Sequence, residues 1–302
     1  MTLKSIELLG EQPILNLFPI RYLQPDEVLF VGTRATHDVS QHLQRLVEDQ
    51  MKVHQTTVHN PYDPPSIHAD IERKIHKLGW SPGDIMYDLS GGNKMMAFAA
   101  YQSARDGGSR IADLENIRHR YRLRLYEFDG HLVMKEDVAL PGVISIADYL
   151  NAHLPGFEEG GFSRDKRGRT DVGGHFEETI YRTLAPHVDE IMAGVRPAGV
   201  AEQIEIDMIV RRGNAVGIIE AKTGVKKAGI DQLDTAGNPH YLGDYLVKFL
   251  VTGRYLPRSH KVLASVQEIH VVEMPGYEER RGIPERERQT LVRAVQTALS
   301  GR

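Results

Sequence analysis

The feature that most constrains this chain is the stretch from Gln203 to Gly224, QIEIDMIVRRGNAVGIIEAKTG. Two apolar runs rich in β-branched residues, Ile204–Val210 and Val216–Ala221, lie on either side of a turn that contains Gly213-Asn214. Apolar runs of this length separated by such turn residues are typical of a β-hairpin. The sequence therefore predicts two antiparallel strands at the centre of a folded unit.

Three charged residues interrupt this apolar hairpin. Glu220 and Lys222 are two apart on the second strand, and side chains on a strand alternate between faces, so both point the same way. Strand pairing would bring Asp207 close to Glu220. Two carboxylates repel each other and are costly to desolvate, and a divalent cation with oxygen ligands offsets both effects. The pattern predicts a metal site; an ordinary hairpin with an acid–base pair on its exposed face is the alternative.

A further source of carboxylates lies upstream, at Glu177 and Glu178. Phe176, Ile180 and Leu184 recur at helical spacing, which predicts an amphipathic helix that begins after a glycine pair. Acidic residues also stabilise the N-terminus of a helix without any catalytic role, so a purely structural explanation stays open. We favour Glu177 over Glu178 because it directly follows the apolar residue that holds the helix in place.

Together these residues resemble the core of the PD-(D/E)xK phosphodiesterases. The resemblance rests on a helix acid, a strand aspartate and a Glu-x-Lys strand that occur in this order. It implies that Glu177, Asp207 and Glu220 bind the metal and that Lys222 lies beside the attacked phosphate, which makes these four the candidate catalytic residues.

Composition limits the class of protein. The 302 residues suffice for two domains, and the absence of cysteine excludes disulfides, zinc-thiolate sites and cysteine nucleophiles. Because no apolar run is long enough to span a bilayer and the start lacks a signal-peptide pattern, we expect a cytoplasmic protein that does not contact a membrane. Residues 1–150 carry 16 basic and 20 acidic residues, and the remainder carries 21 of each. Contact with a polyanion must therefore depend on local patches or on metal.

The first half of the chain alternates apolar strands with amphipathic helices, which predicts a doubly wound α/β domain. Two loops, Thr33–Thr36 and Ser90–Lys94, follow predicted strands and so lie where such sheets bind ligands. In the second loop, Gly91 and Gly92 would let backbone amides approach a phosphate, and Lys94 would add a positive charge. The loop is not a Walker A motif, and a plain strand-to-helix turn is the alternative.

The boundary between domains is predicted near the glycine-rich polar stretch GFEEGGFSRDKRGRTDVGG, which follows a short predicted helix, Ile146–His153. We therefore expect a ligand-sensing domain in residues 1–145, a connecting helix and loop in residues 146–173, and a nuclease domain in residues 174–302.

Taken in order, VLFVGTRAT, DLSGGNKMM and the C-terminal acidic core resemble the CARF–nuclease effectors of type III CRISPR defence. The early segment SIELLGEQPILNLFPI is also similar to the start of that family. The resemblance spans the whole chain and implies an α/β protein, with an N-terminal Rossmann-like CARF domain and a C-terminal restriction-endonuclease-like PD-(D/E)xK domain. Asn93 stands where many relatives have threonine, and His175 where tryptophan is common.

The resemblance also implies a function. It predicts a homodimer that binds a cyclic oligoadenylate, with cyclic tetra-adenylate as allosteric activator, and an endonuclease that uses Mn²⁺ or Mg²⁺ in antiviral defence. The substrate, whether single-stranded DNA, single-stranded RNA or plasmid DNA, stays open. Alternatives are a ring nuclease that degrades the messenger, and a ligand-sensing regulatory protein with an inactive nuclease-like domain. The residues implied to line the nucleotide site are Thr33, Arg34, Thr36, Ser90, Gly91, Gly92, Asn93 and Lys94.

Overall fold

The computed structural model describes residues 2–198, 204–224 and 227–301. Gln203, at the edge of the predicted hairpin, lies outside them. The chain divides into two compact units, Met1–Ile144 and Ser145–Arg302, called the first and second unit below. No helix in the described part of the chain is long and apolar enough to cross a membrane.

The first unit is built on a seven-stranded sheet in the order β3-β2-β1-β4-β5-β6-β7, in which the first five strands are parallel and the last two antiparallel. Its elements are β1 (Lys4–Leu8), α1 (Ile14–Leu23), β2 (Glu27–Gly32), α2 (His37–Val47), β3 (Lys52–Thr57), α3 (Pro64–Leu78), a 3-10 turn (Pro82–Asp84), β4 (Ile85–Asp88), α4 (Lys94–Gly107), β5 (Arg110–Ile117), β6 (Arg120–Asp129) and β7 (His131–Ala139).

The apolar sequence explains the centre of this sheet. The residues of β2 from Val28 to Val31 are completely buried, as expected for a parallel strand that is covered on both faces. Helix α4 begins where the Asn93 side chain accepts hydrogen bonds from two backbone amides, and it ends at Gly108, which adopts the left-handed conformation. The alternating strands and helices confirm the predicted doubly wound arrangement of this unit.

The second unit contains a six-stranded mixed sheet in the order β13-β12-β11-β10-β9-β8. Its elements are α5 (Ile146–His153), β8 (Phe157–Glu159), α6 (Val172–Leu184), a 3-10 turn (Ala185–His187), β9 (Glu190–Pro197), β10 (Ile206–Arg212), β11 (Ala215–Lys222), α7 (Ala228–Ala236), α8 (Pro239–Leu242), β12 (Leu246–Thr252), α9 (Arg258–Val266), β13 (Ile269–Glu273) and α10 (Glu285–Leu299).

The predicted hairpin is present as β10 and β11, which pair antiparallel with Met208 opposite Ile219. One face of this sheet packs against helices α6 and α10 through a cluster that includes Met208, Val210, Phe176 and Leu291. Because side chains alternate along a strand, Asp207 and Ile209 belong to the opposite face.

Two details differ from the sequence expectation. Helix α6 begins at Val172, before the glycine pair rather than after it, because the Asp171 side chain accepts a hydrogen bond from Gly174 N. Gly174 lies in the first turn, where a Cβ atom would collide with the Ser163 carbonyl oxygen. Residues 146–173 belong to the second unit, in which α5 packs beside β9 and β10 and in which β8 forms the edge of the sheet.

Candidate active site and ligand-binding loops

Asp207 and Glu220 face each other across the hairpin of the second unit. The strand register pairs Met208 with Ile219, so Asp207 and Glu220 occupy the next opposed position. Glu220 is 3% exposed. The Asp207 carboxylate accepts a hydrogen bond of 2.8 Å from the backbone amide of Ala221, which fixes its orientation. The structure therefore brings together the two strand carboxylates that the sequence singled out.

Lys222 completes this cluster. Its Nζ lies 4.0 Å from Asp207 Oδ2 and forms an ion pair with Glu220 Oε1. Burial raises the pKa of both carboxyls above their ordinary values, and the charge of Asp207 raises that of Glu220 further. Burial would lower the pKa of Lys222, but the two carboxylates outweigh it and raise that pKa. Two acids and one ammonium thus share a desolvated site whose acids resist ionisation in the absence of another cation.

Glu177 approaches this site from helix α6. It is 5% exposed, and its carboxylate accepts hydrogen bonds from Ser163 N at 2.9 Å and Ser163 Oγ at 2.7 Å. Its negative charge adds to the rise in pKa of Asp207 and Glu220. Glu178 instead pairs with Arg182 at 2.6 Å on the outer side of the helix. The sequence reasoning missed Ser163, which lies in the polar stretch that it predicted to be a connecting loop.

The carboxylate oxygens of Asp207, Glu220 and Glu177 are the possible metal ligands in this cluster. Within residues 2–198, 204–224 and 227–301, no group of three or more His, Cys, Asp or Glu side chains is arranged to hold a metal ion. The pair Asp207 and Glu220 nevertheless supplies the oxygen ligands that Mg²⁺ uses, because that ion is commonly held by one or two carboxylates and several waters. The residues therefore fit a cation bound by these two carboxylates, with Glu177 held by Ser163.

In the first unit, the two predicted ligand loops follow β2 and β4, the strands on either side of β1. In the loop after β2, Thr33 N donates to Thr36 Oγ1 at 2.9 Å, and Thr36 N donates to Thr33 Oγ1 at 3.3 Å. These bonds close a tight turn and leave Thr36 buried, while Arg34 is exposed at its tip. The loop therefore presents the exposed cationic side chain of Arg34 on a turn that two hydrogen bonds hold in place.

The loop after β4 is held in place by contacts with the neighbouring strands β1 and β5. Gly92 has a φ of 68°, and a Cβ atom on Gly91 would collide with the Leu8 carbonyl oxygen, so both positions require glycine. Ser90 donates to Asp88 and accepts from Leu114 N at 2.7 Å. Lys94 is exposed at the first turn of α4. A positive side chain and a helix N-terminus thus meet on one rigid loop, an arrangement suited to an anion.

A third loop, after β3, contacts the loop after β4, although the sequence analysis did not single it out. Asn93 Nδ2 donates to the Pro61 carbonyl oxygen at 3.0 Å. The next residue, Tyr62, is 77% exposed. An aromatic residue between a strand and a helix, at the carboxyl edge of a parallel sheet, was the signal that could have identified it.

Several solved protein structures share this fold. No family profile and no curated protein matches the sequence. Can2 from Sulfobacillus thermosulfidooxidans, solved in complex with cyclic tetra-adenylate, aligns with a TM-score of 0.75 and 14% identity over 98% of this chain and 99% of that chain. Protein VC1899 from Vibrio cholerae gives a TM-score of 0.75 and 15% identity over 98% of both chains.

A third solved structure is that of a type III CRISPR defence DNA nuclease activated by cyclic oligoadenylate. It aligns with a TM-score of 0.64 and 15% identity over 85% of this chain, which spans 46% of that longer chain. This chain has the same fold as these solved structures. The predicted architecture, a Rossmann-like domain followed by a restriction-endonuclease-like domain, is therefore confirmed at the level of the fold.

Proposed function

We propose that this protein is a divalent-metal-dependent endonuclease of type III CRISPR antiviral defence that a cyclic oligoadenylate activates. The observation that carries the proposal is the cluster of buried Glu220 with the partly buried Asp207 and Lys222 in the second unit. The fold supports it, because similar structures include one in complex with cyclic tetra-adenylate and one of a DNA nuclease activated by cyclic oligoadenylate.

The chemistry proposed for the second unit is phosphodiester hydrolysis. Asp207 and Glu220 would hold Mg²⁺ or Mn²⁺, and Glu177 would complete the acidic set. When bound, the cation would act as a Lewis acid toward the phosphate. Lys222 is held beside Glu220, so its ammonium can donate to a phosphate oxygen and stabilise the negative charge that develops there.

The proposed site for the activator is formed by the loops of the first unit. Arg34 and Lys94 are exposed cations that would pair with phosphates of a cyclic tetra-adenylate, and the loop from Ser90 to Asn93 would present backbone amides. Thr33 and Thr36 would shape the floor of the first loop. In a homodimer, two copies of these loops would bind one ring. Tyr62 adds a flat exposed surface on which an adenine could stack.

The test is a cleavage assay with labelled single-stranded RNA, single-stranded DNA and supercoiled plasmid, in Mn²⁺, with and without cyclic tetra-adenylate. We expect cleavage only with the activator, and loss of at least about a hundredfold in rate for Lys222→Ala, since one charge-stabilising donor contributes about 10²–10³. Binding of cyclic tetra-adenylate should be unchanged in this variant.

Two outcomes would contradict the proposal. If the protein binds cyclic tetra-adenylate but cuts none of the three substrates, a ligand-sensing regulatory role is the better account. If chromatography shows that only the cyclic tetra-adenylate is consumed, and Lys222→Ala consumes it equally, the protein is a ring nuclease.

A further inference from the structure

A second candidate site lies in the second unit, away from the acidic cluster. It is a cavity of about 740 Å³ between helices α6 and α10, where β10 ends. Four arginines line it, together with a single carboxylate and several neutral hydrogen-bonding side chains. The arginines are Arg182, Arg212, Arg288 and Arg293, and the carboxylate is Glu285.

The arginines keep a net positive charge in this cavity. Arg182 and Arg288 pair with glutamates one helical turn away, at 2.6 and 2.8 Å, but these pairs are open to solvent and therefore weak. Arg212 Nη1 donates to two neutral acceptors, Ser300 Oγ at 3.1 Å and the Gln296 carbonyl oxygen at 3.4 Å. Its guanidinium is thus fixed in place without being neutralised.

The cavity is separate from the candidate active site. Arg212 follows Asp207 by five residues on β10, which corresponds to about 17 Å along a strand. An odd spacing also places the two side chains on opposite faces of the sheet, and Arg212 shares its face with Met208 and Val210, which pack toward α6 and α10. A ligand of the cavity would therefore contact the protein well away from Asp207.

We infer that this cavity binds phosphate groups of the nucleic-acid strand, an inference that rests on the proposed nuclease function. Guanidinium forks match phosphate oxygens in a bidentate manner, and the cavity volume lies within the range of ordinary ligand sites. Neutral donors at its wall, including Thr297 and the second amide N–H of Gln289, suit the sugar–phosphate backbone rather than one base sequence. The cavity thus provides a remote, sequence-independent contact that retains long substrates.

The first test measures strand binding without divalent metal, so that nothing is cut. Anisotropy of a labelled single strand of about 20 nucleotides, longer than common single-strand site sizes, is followed at several salt concentrations. The double variant Arg288→Ala/Arg293→Ala should bind roughly tenfold more weakly, and its salt dependence of log K should be shallower by about 1.4, the value for two phosphates on a single strand.

A matched control variant removes the same number of positive charges as the cavity variant. Arg258→Ala/Arg280→Ala removes two exposed arginines of the same unit that do not line the cavity. This control should keep the wild-type salt slope and affinity. Alanine is the most favourable helix residue, so the two substitutions on α10 should leave that helix folded.

The second test separates retention of the strand from catalysis. For the long strand, the cavity variant should raise KM about tenfold with kcat unchanged. For a dinucleotide, whose single phosphodiester must lie at Asp207 to be cut and which is too short to span the roughly 17 Å to the cavity, neither constant should change. A loss of kcat on both substrates would overturn the inference.

Two further results would overturn it. One is equal affinity and salt slope for the cavity and control variants. The other is that the cavity variant loses calorimetric binding of inorganic phosphate yet retains the strand normally, which would make the cavity a site for free anions. The binding test uses no divalent metal and needs no cleavage, so failure of this inference in that test is distinct from failure of the proposed function in the cleavage assay.

Discussion

At the residue scale, the first unit contains a buried acid pair beneath its candidate ligand loop. Glu7 on β1 and Asp88 on β4 are neighbours in the sheet, and both are completely inaccessible to solvent. Glu7 accepts hydrogen bonds from Ser5 Oγ at 2.5 Å and from Asn16 Nδ2 at 3.2 Å. Burial raises the pKa of both carboxyls, and the charge of Asp88 raises that of Glu7 further.

This pair should make the first unit lose stability as pH rises. Carboxyls with raised pKa values hold protons that the unfolded chain has already released, so their favourable contribution is complete at low pH and is lost as pH rises through the raised values, about 6 for Asp88. Each such proton makes the free energy of unfolding fall by about 1.4 kcal/mol per pH unit. Glu7→Gln removes one of the two acids and should flatten this dependence.

Trp80 provides the measurement, because it is the sole tryptophan of the chain and is buried in the core of the first unit. Urea unfolding followed by its fluorescence, from about pH 5 to pH 7 around the raised pKa of Asp88, should show a steeper loss of stability in wild type than in Glu7→Gln. Parallel curves would show that the acid pair does not titrate in this range.

Tyr62 gives a second prediction at this scale. Stacking of an adenine on an aromatic ring contributes about 1–3 kcal/mol, so Tyr62→Ala should weaken binding of cyclic tetra-adenylate by about tenfold. Tyr62→Phe keeps the ring and should bind like wild type. Tyr255→Ala, which removes a ring that is 69% exposed in the second unit, is the control for calorimetry. Equal affinities for Tyr62→Ala and wild type would remove Tyr62 from the site.

At the scale of elements, Asn93 connects a helix cap to a neighbouring loop. Its side chain accepts from Met95 N and Met96 N and donates to the Pro61 carbonyl oxygen. Asn93→Ala loses both functions and should lower the stability of the first unit by about 1 kcal/mol or slightly more. Asn93→Ser keeps a capping oxygen and should lose less. Unfolding followed by Trp80 fluorescence measures both, and equal losses would mean that the cap does not stabilise α4.

The elements also show how far local sequence predicts structure. Helix α5 has the limits predicted for it, Ile146–His153, and the structure shows that it starts in a complete capping box of Ser145 and Asp148. The central hairpin is predicted because its strands are apolar and its turn is distinctive. Strand β1 was not assigned, since Glu7 interrupts a short apolar run, and its contacts with Asp88 and Asn16 come from residues that are distant in sequence.

In the candidate site, too, local sequence predicts some contacts and not those that depend on tertiary packing. The meeting of Asp207 with Glu220 follows from hairpin pairing, so it could be predicted. The contact between Ser163 and Glu177 depends on how a loop folds back on α6, and the arginine-lined cavity depends on how α6 and α10 pack. Neither has a local sequence signal, because both are formed by residues far apart in the chain.

At the scale of the whole molecule, the order of motifs predicted the two-domain fold although each motif alone is only modestly specific. A Gly-Gly-x-Lys loop followed far downstream by an acid, an aspartate and a Glu-x-Lys strand spans both units. The choice of substrate could not be predicted in the same way, because a resemblance to PD-(D/E)xK cores is compatible with cleavage of DNA or RNA, and selectivity arises from the shape of the cleft.

The proposed activation implies a reciprocal effect between the two units. If cyclic tetra-adenylate increases the affinity of the second unit for nucleic acid, then bound nucleic acid must increase the affinity for cyclic tetra-adenylate by the same factor, typically about 5–150-fold. Lys222→Ala protein allows both to be measured at equilibrium, since it should bind a strand without cutting it. Calorimetric titration of cyclic tetra-adenylate should therefore give a lower Kd when the protein is saturated with a single strand.

The matched measurement is strand affinity with and without saturating cyclic tetra-adenylate, and the two ratios should agree. An unchanged Kd for cyclic tetra-adenylate, in a protein whose cleavage still requires it, would contradict activation through substrate binding. In that case the activator would act on the catalytic step alone, because a ligand shifts an equilibrium only by its difference in affinity for the two states.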